Sequence, residues 1–188
     1  PKIDFGSDAG LVAALQSPAR NVRTVAVNKL VSRGDAVFPQ MKKLFESAKN
    51  SFVRVRPIWV MAQLGPKGQG FVRELLDSKD RQDRLVAYRA LRFAQPKGLV
   101  AMAEKMASDK DPAVRREVAL SLRNVPYPEA KDALAQVIAG YDGKNRWYLE
   151  AIGAAADGRE DPIYDELVRP LHTKTSPAKW NEQAINLA

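Results

Sequence analysis

The chain has 188 residues, 45% of them hydrophobic and 28% charged, with one histidine and no cysteine. That length can bury a core, and the missing cysteines exclude disulfides, thiolate zinc sites, thiol catalysis and Cys-anchored haem within this stretch. Thirty Lys and Arg against 22 Asp and Glu leave a net charge of +8, which suits an acidic partner or nucleic acid but is spread along the chain as on a solvated basic surface.

Residues 1–9, with Pro1, Gly6 and two aspartates, read as a lead-in to a first helix capped by Ser7 or Asp8. No basic-then-apolar leader precedes them and the chain opens on Pro1, so the sequence reads as a processed or excised piece. Leu11, Val12, Ala14 and Leu15 carry the first short helix; Ser17-Pro18 turns the chain, and Val22 to Val31 is its partner. A second pair spans about Val37 to Leu64, where Pro57 either delays the second helix or kinks it. Gly65 to Gly70 is expected to be a loop, and without a Gly-Lys-Ser/Thr ending it is no phosphate cradle. The third pair is Phe71 to Asp77 with Arg84 to Phe93, and the fourth is Leu99 to Ala107 with Val114 to Asn124. The fifth is Ala130 to Ala139 with Arg146 to Ala156. Ile163 to Leu171 opens a sixth, whose second helix would be Ala178 to Leu187. No run reaches the ~18 apolar residues of a spanning helix, so membrane insertion is not expected.

The pairs share one device. Asp111-Pro112 caps and starts a helix, with Val114, Val118 and Leu122 at helical spacing and Arg115 one turn in. Asp80 with Arg84 and Asp142 with Arg146 repeat the Asp-x-x-x-Arg pair, and Asn50 with Arg54 is its neutral form. The anchors Arg23, Arg54, Arg84, Arg115 and Arg146 are 31, 30, 31 and 31 residues apart. Nine residues before them stand Ala14, Phe45, Leu75, Met106 and Val137. Three after stand Ala26, Pro57, Ala87, Val118 and Leu149. A single pair cannot bury such columns, so stacked copies must share a core. Because an active site is needed once and a stacking contact in every repeat, Asn50, Arg54, Asp80, Arg84, Asp111, Arg115, Asp142 and Arg146 read as a structural ladder of caps and ion pairs.

Two helices per repeat, an Asp or Asn cap and an Arg one turn later resemble HEAT repeats of the short bacterial type, over roughly residues 10–170. The resemblance implies an all-α fold: a right-handed α-solenoid of five to six helix pairs with a 31-residue period. Residues 1–9 are then the lead-in, 10–170 the solenoid, and 171–188 a partial sixth repeat or C-terminal helix. Arg146-Trp147-Tyr148-Leu149-Glu150-Ala151-Ile152-Gly153 further resembles a segment of large secreted bacterial proteins. In those proteins a sugar-dehydrogenase-like β-propeller precedes the HEAT region and a c-type cytochrome follows it. That resemblance implies a spacer module, periplasmic or secreted, with any haem held by a neighbouring domain.

Little in the chain reads as chemistry. His172, in the polar segment His172 to Ser176, is expected to be a solvated loop residue, and one histidine makes no metal cluster. Glu160-Asp161 and Asp165-Glu166 suit helix starts better than acid–base catalysis. No catalytic, cofactor or metal residue is assigned. The feature left over is a strip on the second helices: Trp59, Arg89, Arg92, Arg116, Arg123 and Trp147, residue types enriched at binding hot spots. It suits a protein partner or a flanking domain on the concave side of a solenoid. Basic nucleic-acid binding is the alternative, in the manner of alkylpurine DNA glycosylases built from HEAT-like repeats, although no Asp lies within a helical turn of Trp59, Trp147 or Trp180. A chromophore-lyase-like role has only the repeat type in its favour.

Overall fold

The computed structural model describes residues 2–172 and 175–188, and every regular element among them is helical. The chain forms two units, one ending at Pro96 and one beginning at Lys97.

The first unit opens with α1 (Asp8–Leu15), where the Ser7 hydroxyl accepts from the Gly10 amide at 3.0 Å and so satisfies one of the donors a helix start leaves free. After the Ser17-Pro18 turn, α2 (Arg20–Ser32) buries Ala26 and Leu30. A tight turn over Gly34–Val37, entered through Gly34 at φ +60°, leads into α3 (Phe38–Ser47). Its partner begins as expected but breaks. In α4 (Ser51–Arg54) the Asn50 side chain accepts from Phe52 and Val53, and α5 (Arg56–Met61) resumes beyond Val55. Pro57 has no N–H to return to the Val53 carbonyl, and Ile58 bonds Val55 in a tighter turn instead.

The expected loop at Gly65 to Gly70 is a helix: α6 (Pro66–Glu74) starts at the proline. Its cap comes from a distance, because the Asp35 carboxylate accepts from the Lys67 and Gly68 amides at 3.1 and 3.2 Å. Gly65 and Gly68 serve close approach. A Cβ on buried Gly68 would lie 2.5 Å from the Met61 carbonyl oxygen. Asp80 caps α7 (Arg81–Ala94) by accepting from Gln82 at 2.8 Å, and α7 lies against α5.

In the second unit α8 (Leu99–Met106) pairs with α9 (Pro112–Ser121), which has Asp111 as its cap and Pro112 at its first position. Next come α10 (Tyr127–Ala139) and α11 (Arg146–Ala156), and α11 packs along α9. The cap of α11 is Asn145, accepting from Tyr148 at 3.1 Å, and not Asp142. Asp142 instead closes the preceding turn by accepting from Lys144 and Asn145, and these amides hold its carboxyl below its ordinary pKa.

The sixth pair departs most from its expectation. Its first helix is α12 (Glu160–Ile163), a five-residue π turn over Tyr164–Val168, and α13 (Arg169–His172). Pro170 gives no amide to the Glu166 carbonyl one turn back and its ring crowds that carbonyl, which accounts for the widened turn just before it. The expected second helix shrinks to a short turn at Pro177–Lys179 and α14 (Glu182–Leu187), tied back by an Asn186 side-chain bond of 2.7 Å to the Gly143 carbonyl. Gly143, at φ +81°, must be glycine, since a Cβ there would lie 2.5 Å from the Gln183 amide. His172 is not solvated: it is buried against the Trp180 ring, and its Nε2 has no hydrogen-bond partner among the described residues. Its former loop neighbours Thr173 and Lys174 lie outside the described residues.

The column nine residues before the anchors is buried throughout, from Ala14 to Val137. Each such Leu, Met or Phe contributes roughly 1.5–3 kcal/mol over leaving it exposed. The architecture is therefore all-α, built from repeated helix pairs in each unit.

Candidate partner interface

Three of the anchor arginines hold backbone carbonyls. Arg23 donates to the Ser17 and Pro18 carbonyls at 3.0 and 2.5 Å, Arg84 to Ser78 and Lys79 at 2.9 and 3.2 Å, and Arg115 to Asp109 at 2.6 Å. Each reaches the carbonyl six residues before itself, in the turn that follows the partner helix. A guanidinium, with five donors in one plane, can serve two carbonyls together.

Arg54 binds an acid. Its guanidinium forks onto both carboxylate oxygens of buried Asp83, with Nη2 to Oδ2 at 2.8 Å, and lies over the Phe45 ring at 4.2 Å. The Asp80 carboxylate is 3.6 Å away. The Asp83 bond raises the Arg54 pKa above its ordinary value despite partial burial. Arg146 departs from the ladder: its side chain is 84% exposed and pairs with Glu150 at 3.3 Å. The carbonyl it would have held, Gly140, is taken at 2.9 Å by Arg115, whose Nε also donates to the Tyr148 hydroxyl at 3.0 Å. Tyr148 in turn donates to the Val137 carbonyl at 2.8 Å, and burial pushes its phenol pKa up.

Two further arginines join this framework without a sequence signal. Arg56 reaches the Leu15 and Ser17 carbonyls at 3.0 and 3.2 Å, and Arg159 caps the end of α9 through Leu122 and Val125 at 2.7 and 2.5 Å. Burial lowers the pKa of both. They lie off the anchor register, and their partners are main-chain atoms that no residue type marks. Asp83 was marked only by standing three residues after Asp80, a spacing that reads equally well as a solvated helix face.

The strip residues fall on both units. In the first, Trp59 is half-buried and meets exposed Phe93 edge-on at 6.3 Å, while Arg89 and Arg92 are half-exposed. In the second, Trp147 is 71% exposed and Leu120 is open. They line a groove of about 540 Å³ with Arg116, Glu150 and Ala151. Arg123, at the end of α9, pairs with Asp157 at 2.8 Å. Among the described residues no cluster of three His, Asp or Glu could hold a metal, and no helix is long and apolar enough to cross a membrane.

Residues 68–153, under half of the chain, match the family model of HEAT repeats, in keeping with the repeated helix pairs. No curated protein matches the chain.

Proposed function

We propose that this chain is a non-catalytic HEAT-repeat interaction module that holds a protein partner, or a flanking domain of a larger protein, on the outward strip of its second helices. The observation that supports this most is the groove between α9 and α11, where Trp147 and Leu120 stay open beside the Arg116 guanidinium. HEAT repeats generally serve as protein-interaction scaffolds. An exposed indole next to an arginine has the composition of an interface hot spot. Covering most of an aromatic side chain of 150–250 Å² returns about 3 kcal/mol.

A photo-crosslinking residue placed at Trp147 in native cells tests this. A single cross-linked protein, lost in Arg116→Ala and retained in a variant of the remote exposed residue Phe52, is the expected result. Cross-links no richer than those from Phe52 would overturn it.

The finer reading, a spacer between a β-propeller and a cytochrome domain in a secreted protein, rests on the segment from Arg146 to Gly153. An antibody to this chain should then detect a large, haem-staining, extracytoplasmic band, and a cytoplasmic band near 20.8 kDa would end that reading. The net charge of +8 keeps nucleic acid as the competing partner. A DNA titration at two salt concentrations separates the two, because phosphate contacts make affinity fall steeply with salt.

A further inference from the structure

The repeat register identifies a second surface, which shares Glu150 with the strip groove. In four repeats the residues three and seven after the anchor are buried: Ala26 and Leu30, Pro57 and Met61, Ala87 and Leu91, Val118 and Leu122. On α11 the same positions are Leu149, half-buried, and Gly153, exposed. This core column is therefore only partly covered at the fifth repeat, where it opens into a cavity of about 630 Å³ that Asn186, Leu187 and Ala188 also line. Ile152, Ile163 and Val168 supply its apolar floor, and the π turn contributes Tyr164 and Asp165 to one wall. Four carboxylates line it, those of Glu150, Glu160, Asp161 and Asp165, with no lysine or arginine among the lining residues. Glu150 and Asp165 are met from outside the groove by Arg146 and Arg169.

We propose that this groove receives an amphipathic helix of a partner protein whose apolar stripe is flanked by lysines or arginines. The shape argument comes from the column itself. On α9 the same row is the buried pair Val118 and Leu122, and α11 packs on α9, so the row that this groove exposes is one that a helix can cover. Its volume matches about one and a half turns of a helix ~10 Å across. Charge selects the occupant. With Glu150 and Asp165 met by arginines, Glu160 and Asp161 carry the charge that favours a basic helix here over an acidic one, on a chain of net charge +8.

The probe is a fluorescent synthetic peptide of about 14 residues, four helical turns, with leucines on one face and lysines flanking it. Titrated against the whole chain, it should bind saturably and weaken several-fold as salt rises from about 50 to about 200 mM. Gly153→Arg should weaken it at least tenfold. Gly153 has nothing within 4 Å of an added Cβ and sits in a helix, so this side chain fills the trough without disturbing the fold. Asp161→Asn should weaken it about twofold, and Trp147→Ala, on the strip, should leave it unchanged. A glutamate version of the peptide should not bind. Equal binding of a sequence-scrambled peptide, or binding indifferent to Gly153→Arg in a variant with an unchanged melting temperature, would overturn the proposal. So would concentration-dependent self-association abolished by Gly153→Arg, which would make the occupant a second copy of this chain.

Discussion

Arg115 and Arg146 hold the same position in successive repeats, and the structure gives them opposite weights. Arg115 donates to two main-chain carbonyls and to the Tyr148 hydroxyl, all partly buried. Arg115→Met keeps the aliphatic stem and removes all three bonds. A bond from a charged donor contributes about 1.5–3 kcal/mol. Water can reach part of this site and replace some of that, so a total loss of about 3 kcal/mol is expected. Arg146→Met removes one exposed i,i+4 pair and should change stability by less than about 0.5 kcal/mol. Urea unfolding followed by circular dichroism measures both. With a slope of about 2 kcal/mol per molar, Arg115→Met should move the midpoint by roughly 1.5 M and Arg146→Met by almost nothing. Arg115→Lys should recover less than half, because one ammonium cannot span the Asp109 and Gly140 carbonyls. Equal shifts for the Arg115 and Arg146 variants would refute the claim that these arginines stabilise the fold by holding turn carbonyls.

Other substitutions test the remaining contacts by the same unfolding measurement. Asp83→Asn should cost about 2 kcal/mol by breaking the fork with Arg54, discounted for the solvent that reaches Arg54, and replacing both residues with Leu and Met should restore part of it. Gly68→Ala would normally favour a helix by about 1 kcal/mol, yet here it should destabilise by about 1–3, because the new Cβ meets the Met61 carbonyl; a stabilised variant would refute the close-approach reading. Asp35→Ala should cost about 1 kcal/mol as a lost helix cap, seen as faster amide exchange at Lys67 and Gly68. Burial raises the folded pKa of Tyr148, so its stabilisation is complete below the unfolded value of about 10 and is lost as pH rises through the folded one. The wild type should therefore lose stability on alkalisation that Tyr148→Phe does not lose, and parallel pH profiles would refute this.

The repeat was legible because its signal is redundant. A register that recurs at about 31 residues, with apolar columns on both sides of the arginine, survives the loss of any single cap, as at Ala19 or Asp142. What stayed hidden was non-local or singular. The cap of α6 comes from Asp35, some thirty residues away, so Gly65 to Gly70 showed only its glycines and read as a loop. At α11 both Asp142 and Asn145 are cap residues by type, and only backbone geometry decides that Asn145 faces the helix. His172 sits in a polar stretch, and its burial depends on Trp180 folding back over it.

The charge of the chain illustrates the same limit and bears on which partner it takes. A count of +8 suggests a surface for polyanions, but a count does not say where a cation points. Arg23, Arg56, Arg84, Arg115 and Arg159 donate to main-chain carbonyls, and Arg54 closes on Asp83. Each has its guanidinium donors already directed at the fold, and each would have to give up bonds of roughly 1.5–3 kcal/mol to reach a phosphate. The cations left for a partner are therefore fewer than composition implies. On α9 Arg116 lines the groove with Trp147, Leu120 and Glu150, and on α11 Arg146 pairs with Glu150. A mixed surface of indole, aliphatic, guanidinium and carboxylate groups is matched by a protein, whose side chains offer all the complements, whereas a phosphate backbone complements only the guanidinium.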